Sequence, residues 1–207
     1  MIRKLAYFAI AMAFMSLALV RVSEPVNASA EIGELAPSFT AVDINGEEFK
    51  LEDQKGKIVV LEWTNHLCPF VKKHYGSGNM QSIQKSATEN GVVWVSIVSS
   101  APEKQGHMSA EEAQALVKEV GANATTRILD ESGEIGKMYD AKTTPHMFVI
   151  SPEGKLVYNG AIDDNPNPDP SSIAKSKNLV IAALDDLSAG RSVEIPRTAP
   201  YGCSVKY

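Results

Sequence analysis

The chain is poor in cysteine and in excess positive charge, and both shortages narrow what it can be. It has two cysteines in 207 residues, far too few for a domain stapled together by disulfides. Its 20 Lys and Arg are outnumbered by 25 Asp and Glu, for a formal net charge of −5. A broad basic face for nucleic acid is therefore not expected. The one long run of hydrophobic residues without charge lies at the N-terminus, from Leu5 to Val20, preceded by Arg3 and Lys4 and interrupted by Arg21. It falls short of the roughly 20 residues that span a bilayer. Ala28-Ser29-Ala30 then supplies the small residues of a processing site. Residues 1–30 are expected to be a cleaved export signal, with no cysteine near the cleavage region to carry a lipid and no stable membrane anchor afterwards.

Residues 31–207 are expected to form one domain, long enough for a full core. Loss of Arg3, Lys4, Arg21 and Glu24 would leave it with 17 basic against 24 acidic residues. Export, to the periplasm or outside the cell, would place it in an oxidising space where an even cysteine count permits a disulfide. Asn27-Ala28-Ser29 and Asn123-Ala124-Thr125 fit the glycosylation pattern, which matters only in a eukaryotic secretory pathway.

Within this domain, strands and helices alternate. Ser38–Val42 and Glu48–Leu51 flank Asn45-Gly46 and predict an N-terminal hairpin. Ile58–Leu61 and Val92–Val98 are nearly continuous apolar runs, the pattern of neighbouring strands covered on both faces. Between them lies a helical stretch broken near Gly76-Ser77-Gly78. Ser109-Ala110-Glu111-Glu112 has the spacing of a capping box, opening a helix to about Val120. A short strand at Arg127–Asp130, a short helix at 133–139, a hairpin from Met147 to Tyr158 and a helix at 178–189 complete the series. Residues 163–177, with prolines at 166, 168 and 170, read as a Pro-rich loop. Asp163-Asp164 reads as a solvated pair in that loop, and residues 191–207 as a flexible C-terminal tail. The order specifies an α/β domain with a central mixed sheet flanked by helices.

Cys68 and Cys203 are the candidate carriers of chemistry. Cys68 falls where an apolar strand gives way to a helix, with Lys72-Lys73-His74 just beyond, and a helix N-terminus with nearby cations favours a thiolate. Trp63 and Trp94 are expected in the core, with Trp63 also close enough in sequence to shield the site.

Three segments, Asn65-His66-Leu67-Cys68-Pro69-Phe70-Val71-Lys72, the stretch from Thr144-Pro145-His146 to Asp164, and Gly202-Cys203-Ser204-Val205-Lys206, together resemble the peroxiredoxin-like redoxins of the alkyl hydroperoxide reductase/thiol-specific antioxidant (AhpC/TSA) superfamily. The resemblance runs from about Ile32 to the C-terminus. It implies a thioredoxin-like fold in which Pro145 is cis and packs on the reactive cysteine, and it supports redox use of Cys68 more firmly than of Cys203. No cofactor is implied. Two departures stand out. Val71 occupies the place where thioredoxins carry a second cysteine, so an intramolecular disulfide must use Cys203. Asn65 and Leu61 stand where peroxiredoxins place a threonine or serine and a proline, and the arginine those enzymes carry near Pro145 is absent.

The expected function is that of an exported thiol-dependent oxidoreductase, in which Cys68 is the nucleophilic or peroxidatic thiol, Cys203 resolves, and Pro145 shapes the site. His66, Asn65, Trp63, His146 and Lys72 are candidate tuning residues, and His74 is a further cation near the thiol. Two reactions fit: exchange with the disulfide of a partner protein, or antioxidant reduction of a peroxide followed by an external thiol reductant. An alternative is a copper- or zinc-binding carrier using Cys68, His66, His146 and Cys203. Another is a purely structural Cys68–Cys203 bridge.

Overall fold

Val59–Trp63, strand β3, has no exposed residue, and burial on both faces is what fixes it at the centre of the sheet. The computed structural model describes residues 30–207, so the expected export signal falls outside the described residues except for Ala30. No helix among these residues is long and apolar enough to cross a membrane.

The remaining elements are arranged in chain order around β3. Strands β1 (Thr40–Val42) and β2 (Glu48–Lys50) form the expected hairpin ahead of it. Helices α1 (Pro69–Gly76) and α2 (Asn79–Glu89) come next, separated at Ser77-Gly78, where Gly78 adopts a left-handed φ of 77°. Strand β4 (Val93–Val98), helix α3 (Ala110–Val120) and strand β5 (Thr126–Leu129) continue the alternation. Ser109 and Glu112 close the capping box that the spacing predicts. The chain ends through α4 (Glu134–Met138), β6 (Thr143–Thr144), β7 (His146–Ile150), β8 (Leu156–Gly160), α5 (Leu179–Ser188) and β9 (Cys203–Ser204).

The main sheet has the order β5-β4-β3-β7-β8. Its first three strands are parallel, β7 runs against β3 and β8 against β7, which gives the expected mixed sheet. One face packs Leu61, Trp63, Val95, Ile97, Phe148 and Tyr139, with Trp63 and Phe148 ring centroids 5.0 Å apart. The other packs Val60, Trp94, Met147 and Val149 under α2 and α5 through Met80, Ile83, Val180 and Ala183. The architecture is thioredoxin-like.

Two segments differ from expectation. Residues 163–177 are not a plain loop: Pro170–Lys175 form a 3-10 helix capped by Asp169. Asp163, expected in solvent, is 3% exposed. Nor is the tail a free arm. Cys203–Ser204 pairs antiparallel with Thr143–Thr144, Ala101 N–H donates to Lys206 O at 2.9 Å, and Tyr207 donates to Ala141 O at 2.8 Å. Backbone ladder bonds made in tertiary contact, invisible to local periodicity, hold it down.

Candidate functional site

Cys68 is the residue before α1, in extended conformation (φ −71°, ψ 126°), with Pro69 in the first turn. Proline suits that position because its missing N–H would have no helical partner there. The turn that presents Cys68 is fixed by Asn65, which is 1% exposed. Its Oδ1 accepts from Leu67 N–H at 3.0 Å, its carbonyl accepts from Cys68 N–H at 2.9 Å, and its Nδ2 donates to Gln105 O at 3.0 Å. Gly106 is obligatory beside it: a Cβ there would lie 2.5 Å from Asn65 Nδ2.

The Cys68 thiol is fully buried and donates to the carbonyl of Thr144 at 3.0 Å. The Thr144-Pro145 peptide is cis, as the resemblance implies. Thr144 is also the residue opposite Cys203 in the β6–β9 pair, so both cysteines are brought to the same short segment. Both are free thiols. Gly202 makes the approach possible, since a Cβ on it would fall 2.0 Å from Thr144 O.

The two thiols are driven apart electrostatically. Burial opposes ionisation of Cys68, but the thiol and backbone N–H of Cys203 and the backbone N–H of Val71 outweigh it and hold Cys68 below the usual thiol range. Cys203 is pushed up to about 11 by burial and then by its hydrogen bond and charge repulsion with Cys68. Ionisation of one thus stabilises the proton on the other, and Cys68 is the one that ionises first.

A buried polar cluster ties the tail to the helix that carries Cys68. Lys73, on α1, pairs with Asp163 at 2.8 Å with side chains 0% and 3% exposed, and donates to Asn165 O at 2.9 Å. Tyr201, two residues before Cys203, donates to the other Asp163 oxygen and rests against Phe70 at 5.6 Å between ring centroids. The phenol also lies 3.3 Å from His74 Nε2, whose Nδ1 contacts Asn79 Nδ2 at 2.8 Å. Burial, partly countered by Asp163, lowers the His74 pKa to about 4. The sequence did not single out Lys73 or Tyr201.

The other expected residues divide. His146 is buried with both ring nitrogens occupied, Nε2 against Asn159 Oδ1 at 2.8 Å and Nδ1 accepting from Lys142 N–H at 3.2 Å. Burial takes its pKa down to about 4, so it is neutral near pH 7. Trp63 serves the aromatic core and donates to Ser99 Oγ at 3.0 Å. His66 and Lys72 line a cavity beside the Cys68 turn. The four residues considered as a metal set therefore do not converge: no group of three or more His, Cys, Asp or Glu that could hold a metal occurs among the described residues. His146 has no lone pair to spare for one.

Glu62, also not anticipated, is a fully buried carboxyl on β3. It accepts from Trp94 Nε1 at 2.8 Å, Tyr75 Oη at 2.9 Å and Gln84 Nε2 at 3.0 Å. Burial raises its pKa against the pull of these donors. A lone acid within the apolar run Val59-Val60-Leu61-Glu62-Trp63 was its signal in the sequence.

The model of the AhpC/TSA family matches residues 32–159, which include Cys68 and Pro145 but stop short of Cys203. The thiol-disulfide oxidoreductase ResA of Bacillus subtilis is 30% identical over 125 residues, 60% of this chain and 64% of that protein. The match thus spans less than two thirds of that relative. A conserved protein of Geobacillus kaustophilus has a crystal structure matching with a TM-score of 0.73 at 29% identity, over 86% of this chain and 93% of that one. A hypothetical protein from Sinorhizobium meliloti shares the fold with a TM-score of 0.70 at 24% identity, over 87% and 96%.

Proposed function

Because the chain belongs to the AhpC/TSA family, we propose that it is a thiol-disulfide oxidoreductase in which Cys68 attacks and Cys203 resolves. The observation that carries the reading is the opposed tuning of two free thiols across one Thr144: Cys68 lowered, Cys203 raised to about 11. The Cys68 thiolate attacks one sulfur of a partner's disulfide, forming a mixed disulfide and releasing the other sulfur as a thiolate that takes a proton. Cys203, once deprotonated, attacks Cys68 Sγ, closing a Cys68–Cys203 disulfide and releasing the partner's second thiol. An external dithiol then returns both cysteines to thiols and is itself oxidised. Asn65 and Pro145 act as positioning residues. Docking of the tail by hydrogen bonds, with both thiols unbonded, supports redox use of the pair over a purely structural bridge.

A second reading, peroxide reduction with antioxidant effect, draws on the family match. Here the Cys68 thiolate attacks the peroxide oxygen to give a sulfenic acid and an alcohol or water. Cys203 condenses with the sulfenic acid, releasing water and forming the same disulfide. Residues 1–30 would be removed on export, leaving domain 31–207 in the periplasm or outside the cell.

The test uses a model disulfide protein with a dithiol reductant, and separately hydrogen peroxide, with wild type, Cys68→Ser and Cys203→Ser. Disulfide reduction lost in Cys68→Ser, with a mixed disulfide trapped in Cys203→Ser, supports the first reading; faster turnover with peroxide supports the second. Equal rates in Cys68→Ser and wild type on both substrates overturn both.

A further inference from the structure

Arg127, on β5, is a buried cation that forms no ion pair among the described residues. It is 5% exposed, and its Nε has no hydrogen-bond partner among them. The carboxyl in its own row across the sheet is Glu62, since Glu62 stands opposite Ser96 and Ser96 opposite Arg127. That carboxyl senses the Arg127 charge but already accepts from Trp94, Tyr75 and Gln84. Leaving a guanidinium desolvated and unpaired is costly.

Arg127 lines a cavity of about 330 Å³ between the sheet, α1 and α3, within the size range of small-molecule sites. Val71, Met108 and Leu116 supply an apolar wall, while His66 and Lys72 stand with Arg127 as the cationic or donor groups. His66 Nδ1 is a second buried polar atom without a hydrogen-bond partner among the described residues. A guanidinium with no ion pair among the described residues, set at a mostly apolar cavity, suits a ligand with an acceptor group and a hydrocarbon body.

We propose that this cavity binds a small monocarboxylate with a compact apolar body, its carboxylate received by Arg127 and His66 and its hydrocarbon portion packed against Val71, Met108 and Leu116. Arg recognises a carboxylate through a planar pair of donors. A neutral ligand would leave the cation unpaired, and a dianion would bring a second negative charge to a wall that includes Glu119. The cavity adjoins the Cys68 turn but Cys68 is not part of the lining, so the binding test does not depend on the thiol chemistry.

The experiment titrates the purified protein with hexanoate, with 1-hexanol and with inorganic phosphate, read by calorimetry or by chemical-shift changes. Hexanoate saturates, hexanol binds at least about tenfold more weakly, as expected for loss of a charge-assisted pair, and phosphate does not compete. Arg127→Met abolishes the preference for hexanoate, and Arg127→Lys retains part of it. Leu116→Trp, which fills the cavity from its apolar side, removes binding of both organic ligands. Should Arg127→Met fail to fold, the wild-type comparison of hexanoate with hexanol and the Leu116→Trp variant decide the matter. Equal affinity for hexanoate and hexanol, tighter binding of phosphate, no saturable binding of hexanoate, or unchanged binding in Leu116→Trp overturns the proposal.

Discussion

Cys203 stands directly opposite Thr144 in the short antiparallel pair between the C-terminal segment and residues 143–144, and it is the Thr144 carbonyl that receives the Cys68 thiol at 3.0 Å. A two-residue ladder thereby does what a shared helix turn does in a local dithiol: it brings two cysteines far apart in sequence to one residue of the backbone. The Gly202 backbone, at φ 127°, is what allows the close approach.

Gly202→Ala should displace Cys203, because the new Cβ would fall 2.0 Å from Thr144 O. The expected result is slower closure of the Cys68–Cys203 disulfide after mild oxidation, by about tenfold or more, with about 1–3 kcal/mol lost in stability from the strained backbone. Mass spectrometry of alkylated time points gives the first quantity and urea unfolding the second. Closure at the wild-type rate would show that the β6–β9 pair does not position the thiol.

The rate of Cys68 alkylation should rise with pH through an inflection below the usual thiol value of about 8.5, because hydrogen bonds from Cys203 and Val71 favour the thiolate over the opposing effect of burial. In Cys203→Ala one of those donors disappears, so the inflection should move up. Cys203 itself, raised to about 11, should stay unalkylated until well above that range. Iodoacetamide kinetics with peptide mapping separates the two thiols.

Asp163→Ala should be among the most damaging single changes outside the cysteines. It leaves the Lys73 ammonium, 0% exposed at its side chain, without its partner at 2.8 Å, and breaking a buried pair this way costs about 3–5 kcal/mol. Tyr201→Phe removes the phenol bonded to Asp163 and near His74 while keeping the ring against Phe70, and should cost about 1–3 kcal/mol. Both should also slow closure of the Cys68–Cys203 disulfide, because Tyr201 lies two residues from Cys203. Urea midpoints, with closure rates measured in parallel, check this.

Glu62 and the two buried histidines give pH dependences of opposite sign. Burial raises the folded pKa of Glu62 above the ordinary value near 4.3. Its stabilising effect is full below that value and is lost as pH rises through the folded pKa, at up to about 1.4 kcal/mol per pH unit. Glu62→Gln should lack this decline. His74 and His146 are held down to about 4 by burial. Their contribution is present above the ordinary value near 6.5 and is lost as pH falls towards 4. Unfolding midpoints of wild type and Glu62→Gln from pH 4 to 8, with imidazole proton shifts followed by NMR, resolve the two contributions. An imidazole titrating near 6.5 at either position would contradict the burial argument.

Much of the fold was legible because its signals are local. Ser109 and Glu112 announce a helix by three-residue spacing, Asn45-Gly46 announces a turn, and the apolar runs at 58–61 and 92–98 announce the central strands at 59–63 and 93–98. The position of Cys68 before α1 was legible for the same reason, since strand end, Pro69 and helix start are adjacent in sequence. Lys73, Asp163 and Tyr201 were not, because a charged residue reads as solvated until another element covers it. The metal set built from Cys68, His66, His146 and Cys203 failed because sequence counts donor atoms but not what already occupies them, and Asn159 and Lys142 occupy those of His146.

The order of amino acids was enough for the alternation of strands and helices, for the shortage of cysteine that leaves Cys68 and Cys203 as the only thiols, and for the placing of Cys68 at a strand-to-helix junction. Those properties rest on periodicity, composition and neighbouring residues. Long-range contact alone brings Cys203 to Thr144, makes Asp163 the buried partner of Lys73 and sets Arg127 at a cavity with no ion pair among the described residues. Burial creates these relationships: removing water raises the cost of an unpaired charge and the value of a paired one, and which groups lose their water depends on segments that are distant along the chain.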